Sequence, residues 1–79
     1  MTKNLRNAVD AIKENRIKEK DGKKFVEVKP INQHLFQNDD EKEEFLTKIQ
    51  KHGFKDFKVM PIMDRINESS VHHYEIYLK

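Results

Sequence analysis

Four histidines, fourteen carboxylates and no cysteine set the chemistry open to this 79-residue chain. Imidazoles and carboxylates together can ligate a metal or move protons. Without a thiol, disulfides, zinc–thiolate centres and cysteine nucleophiles are all excluded. His72 and His73 are adjacent in the closing stretch SSVHHYEIYLK. Successive residues of a strand face opposite ways, so if His73 looks away from the helices, His72 looks toward them beside Tyr74, Ile76 and Leu78. Two histidines placed like that do not readily share one ion. A zinc centre would have to recruit His34 or His52 with carboxylates such as Asp39 or Asp64. No HxxxH, HxxEH or CxxC spacing brings such groups together locally, and the expectation is no metal and no cofactor.

Hydrolytic chemistry is no better supported. The chain has no GxSxG elbow and no glycine-rich phosphate loop. Ser69 and Ser70 sit in a polar connection, where serine serves backbone hydrogen bonding. The acid pairs Asp39–Asp40 and Glu43–Glu44 suit a helix start better than a catalytic dyad. So small a chain also has little core from which to carve an enclosed pocket, and a protein without catalysis is expected.

The elements that must position these side chains follow from periodicity. Leu5, Ala8, Val9 and Ile12 recur at i, i+3, i+4 and i+7, which predicts an amphipathic helix over about residues 2–18. Lys18 and Lys20 would lie at its negative pole, and Asp21-Gly22 would end it. KKFVEVKPI alternates as a strand over 24–30, with Val26 and Val28 on one face and Phe25, Glu27 and Lys29 on the other; Pro30 stops it. Residues 31–38 read as a helical turn or a loop anchored by apolar residues. Asp40 with Glu43 resembles a capping box opening a helix that runs to about His52. Phe45, Leu46 and Ile49 are its buried stripe, and Gly53 with Phe54 its C-terminal clasp. A hairpin closes the chain, with strands at 55–63 and 70–79 joined by DRINESS.

The order helix, strand, helix, strand, strand predicts a single α+β domain in which two helices pack on one face of a three-stranded, mostly antiparallel sheet. The C-terminal strand lacks proline and glycine and should be central. Phe25, Val71, His73 and Tyr77 would then stand uncovered on the opposite face, and exposed aromatics of this kind mark association surfaces. Phe25, His73 and Tyr77 are therefore the expected contact residues, with Arg65 and Ile66 at the loop tip as a secondary candidate. The expected partner is another protein or a second copy of the chain.

Nucleic-acid binding is the alternative. The same element order matches the topology of a winged helix, with INQHLF as the short second helix and DRINESS as a wing bearing Arg65. The reading helix would open DDEKEE, which phosphates repel. A different version has Phe25, His73 and Tyr77 stacking bases beside Lys24, Lys29 and Lys58. Sixteen basic against fourteen acidic residues leave a net charge of +2, which neither demands nor forbids a polyanion. No apolar run reaches the roughly 18–20 residues of a membrane span, and the start MTKNLRNAVD lacks the apolar centre of a secretory signal. A cytoplasmic accessory regulator or inhibitor of bacterial or phage type is expected, the last attribution resting on the Lys-, Asn-, Ile- and Glu-rich composition.

Overall fold

In the computed structural model, which describes residues 3–29, 35–36 and 38–79, the first apolar stripe forms α1 over Lys3–Lys13 and buries Leu5, Ala8, Val9, Ala11 and Ile12. The helix is shorter than its periodicity implies. Asn15 takes a left-handed φ of 57°, the Arg16 amide donates to the Ala11 carbonyl at 2.8 Å, and the Asn15 amide donates to Ile12 at 3.1 Å. This pair of bonds is a Schellman closure with asparagine at C′. Lys18 and Lys20 therefore do not belong to the helix. They lie in β1, Lys18–Lys20.

Asp21-Gly22 is the corner of a hairpin, not a helix stop. Both residues have left-handed φ, 53° and 77°, the geometry of a two-residue turn whose twist suits antiparallel strands. It joins β1 to β2, Lys23–Val28, with Lys20 opposite Lys23. The second helix, α2, spans Asp39–Gln50, and its cap is Asn38, whose side chain accepts from the Glu41 amide at 3.0 Å. The capping residue thus lies two positions before the expected Asp40. At its other end the Phe54 amide donates to Ile49 and the Gly53 amide to Gln50, with Gly53 at φ 90°. This is the expected glycine clasp, and Phe54 packs partly buried against the core.

β3, Phe57–Met63, and β4, Val71–Leu78, complete one antiparallel sheet in the order β1-β2-β4-β3. The chain is α+β, with four strands where three were expected. The C-terminal strand is flanked by β2 and β3 as expected, and β1 covers the β2 edge that a three-stranded sheet would leave at the rim. β1 is short, charged and exposed along its length, which discourages further strand pairing. Pro61 blunts β3 on the other edge.

One face of the sheet carries the core. Val26 and Val28 of β2 and Ile76 and Leu78 of β4 cluster with the α1 stripe, Phe45 and Ile49 of α2, and Leu35. Phe45 meets Phe57 edge-on at 4.9 Å and Phe36 at 5.7 Å, joining α2 to the start of β3. Leu35 is buried in this core and Phe36 packs partly buried against it. The choice of turn or loop for 31–38 falls largely outside the described residues, as does the second helix of the winged topology. Among the described residues, no helix is long and apolar enough to cross a membrane.

Candidate functional site

The cross-strand register decides which side chains meet on the face away from the helices. Phe25 stands opposite Tyr77, and Glu27 opposite Glu75. On the other side of β4, Lys58 stands opposite Tyr77, Met60 opposite Glu75 and Ile62 opposite His73. Phe25, His73 and Tyr77 do share this face. Phe25, however, is only 6% exposed, because Tyr77 lies against it with ring centroids 5.2 Å apart. It supports the face from beneath and offers a partner little surface. Tyr77 and His73 are half-buried.

A polar cluster occupies the middle of the face. The Tyr77 hydroxyl donates to Glu75 Oε1 at 2.8 Å. That donation, with desolvation and the Glu75 charge behind it, pushes the phenol above its ordinary range. Lys18 Nζ lies 2.9 Å from Glu27 Oε2, and His73 Nε2 lies 3.7 Å from Glu75 Oε2. Glu27, His73 and Glu75 each present a ligand atom within 4.8 Å of the other two.

His72 departs from strict alternation. Ile62 pairs with His73 but Met63 pairs with Val71, so His72 is the extra residue of a β-bulge, which re-aims side chains locally. Its Nδ1 lies 2.8 Å from Nδ1 of His73, where the expected alternation would put the two rings on opposite sides of the sheet. The same bulge places Val71 opposite Met63, out of register with the His73, Glu75, Tyr77 series, so Val71 does not continue the outer face.

The lysines expected to act together are divided. Lys24 and Lys58 line an open groove of about 710 Å³ at one end of the sheet, with Lys20, Lys23 and Lys79, beside Tyr77. Lys29 lies past the other end of β2, about 17 Å along a strand at some 3.3 Å per residue. Arg65 and Ile66 are at the loop tip, exposed, with Ile66 97% accessible rather than folded back. Asp64 holds the loop by accepting from the Ile66 amide at 2.8 Å, which lowers its carboxyl below the usual range. Ser69 and Ser70 are engaged with Asn67, consistent with their structural reading.

No protein-family model, no curated protein and no solved structure matches this chain. Sequence reading passed over Glu27 and Glu75, although the alternation His73, Glu75, Tyr77 already placed a carboxylate on the aromatic face. It also passed over Met60 and Met63. At 40% and 44% exposure these join Ile66 as the large apolar side chains left open among the described residues.

Proposed function

We propose that this chain is a small, non-enzymatic protein-binding module, a cytoplasmic accessory regulator whose contact surface is the β3–β4 hairpin. One observation carries this reading. Met60, Met63 and Ile66, the exposed large apolar residues among the described ones, all belong to that hairpin or its loop. Surface apolar residues scattered singly need no explanation, but these three gather toward one end of a single hairpin, Met60 and Met63 on its two sides and Ile66 at its loop, and a partner that clasps that end would cover them together. Methionine suits the role, since its unbranched thioether adapts to the surface it meets. Pro61 supplies no amide on β3, so the contact is made through side chains and not by adding a strand. Ile62, Tyr77 and His73 extend the surface onto the outer face.

The test compares wild type with the Met60→Ser, Met63→Ser, Ile66→Ser chain in affinity capture from the native cell and in light scattering at rising concentration. Circular dichroism confirms that both are folded. A partner, or self-association, present for wild type and lost in the variant supports the reading; an unchanged captured set and unchanged mass reject it. The groove lined by Lys20, Lys23, Lys24, Lys58 and Lys79 favours a second reading, binding of single-stranded nucleic acid with Tyr77 as the stacking ring. Oligonucleotide binding that weakens steeply with salt and falls in Lys24→Ala and Lys58→Ala would replace the first reading with this one.

A further inference from the structure

We propose that Glu27, His73 and Glu75 form a binding site for one divalent transition-metal ion, for which Zn²⁺ is the best match. The three donors come from two neighbouring strands, and their ligand atoms already lie within 4.8 Å of one another. Tetrahedral zinc with bonds of about 2.1 Å needs donors roughly 3.4 Å apart. His73 Nε2 and Glu75 Oε2 are at 3.7 Å, so ordinary side-chain rotation closes the remainder. One imidazole with two carboxylates selects a transition metal over Mg²⁺ or Ca²⁺, which prefer oxygen donors alone. Three protein ligands leave a fourth position for water or for a donor from a partner.

Two of the three ligands are also held from behind, as metal ligands usually are. Tyr77 occupies Glu75 Oε1 and leaves Oε2 toward His73. The bulged His72 engages Nδ1 of His73. In the tautomer that donates from Nδ1 of His73 to His72, the His73 Nε2 lone pair faces Glu75 Oε2, an arrangement that a cation satisfies. Glu27 and Glu75 stand directly opposite on adjacent strands, a like-charge pairing that is unfavourable unless something positive lies between. Lys18 offsets part of it at 2.9 Å from Glu27. An incoming ion takes over that role, and the exposed lysine can withdraw into water.

This inference is independent of the protein-binding reading, because the Met60→Ser, Met63→Ser, Ile66→Ser chain keeps all three ligands and should bind Zn²⁺ as wild type does. The experiment titrates ZnCl₂ into the full chain by calorimetry, with histidine signals followed by NMR. One ion per chain is expected, shifting the His73 ring and leaving His52 unchanged. His73→Gln and Glu75→Gln should each weaken binding at least tenfold, Lys18→Ala should tighten it, and Mg²⁺ should not move the His73 signals. Circular dichroism of the variants separates loss of the site from loss of the fold, and any variant that unfolds is replaced by Glu27→Gln on the exposed rim. Affinity that stays within twofold of wild type in His73→Gln and Glu75→Gln, or zinc shifts confined to other histidines, overturns the assignment.

Discussion

Replacing Glu75 by Gln should stabilise the metal-free protein. The change is isosteric and keeps an oxygen that can accept from the Tyr77 hydroxyl, so the structural difference is confined to one charge. Glu75 faces Glu27 across the β2–β4 ladder, and their ligand atoms lie within 4.8 Å. At that separation two unit charges repel by about 0.9 kcal/mol in water and about 3.5 kcal/mol at an effective dielectric near 20. Lys18 cancels part of this at 2.9 Å, and Glu27 is open enough to be screened. The net gain should then fall in the range known for cross-strand charge pairs, about 0.2–1 kcal/mol. For a domain of this size that raises the melting temperature by roughly 1–8 °C. The assay is thermal and urea unfolding by circular dichroism with a chelator present, at low and high salt. Because the screening length falls from about 10 Å at 0.1 M to about 3 Å at 1 M, the gain should shrink as salt rises. A Glu75→Gln chain less stable than wild type at low salt, or a gain indifferent to salt, refutes the reasoning. With Zn²⁺ added the order should reverse, since wild type alone keeps the full ligand set.

Phe45 is fully buried and meets two other rings, so Phe45→Ala should cost about 3–5 kcal/mol from a total of about 4–12 kcal/mol for 79 residues; urea unfolding checks it, and a loss below about 1 kcal/mol would contradict the placement. At Gly53 a Cβ would meet nothing within 4 Å, but φ is 90°, so Gly53→Ala should cost about 1 kcal/mol through backbone strain alone, and a neutral result would argue against the left-handed clasp. Tyr77 has a raised pKa, which means the neutral phenol is favoured by folding. Its contribution is fully present below the ordinary phenol range and is lost as pH rises through the folded value; an NMR titration of the Tyr77 ring should give a midpoint above ordinary tyrosine, moving down in Glu75→Gln. Asp64 has a lowered pKa, so its contribution is present above the ordinary carboxyl range and disappears as pH falls through the folded value. In acid the amide of Ile66 should therefore lose hydrogen-exchange protection before the core does.

Local signals were sufficient where one short stretch held all the determinants. The α2 stripe, its acidic first turn and the Gly53–Phe54 clasp lie within a few residues of one another, and the helix was legible in type and extent. The end of α1 was less so, because an asparagine can take the left-handed cap that glycine usually fills, and Asn15 carries no mark distinguishing it from a surface residue. The Asp21-Gly22 pair was noticed and misassigned. Lys-Glu-Lys has no apolar alternation, so nothing announced that the residues before the turn were a strand, and a turn after a helix looks the same as one between strands. Which residues shared the outer face could be read from alternation, yet the burial of Phe25 could not, since it depends on Tyr77 lying directly opposite in the ladder. The pairing of Glu27 with Glu75 is likewise a matter of register, fixed only when β2 and β4 come together from distant parts of the chain.

The bulge at His72 links the polar cluster to the exposed hairpin. In an uninterrupted strand Val71, His73, Glu75 and Tyr77 would line one face, and His72 would turn its imidazole toward the helices. The extra residue between the Ile62–His73 and Met63–Val71 pairs breaks that series. It brings the His72 ring to Nδ1 of His73, so an imidazole stands where alternation would have put an apolar side chain. It also moves Val71 beside Met63, leaving both sides of the distal β3 strand with an exposed methionine, Met60 on the outer face and Met63 on the other. Among the described residues, α2 meets β3 through Phe45 and Phe57 at the start of the strand. There is no further helix or strand among the described residues to lay over the end of the hairpin. The same single residue therefore sets the His72 ring against His73 and shifts the register beside the exposed Met63.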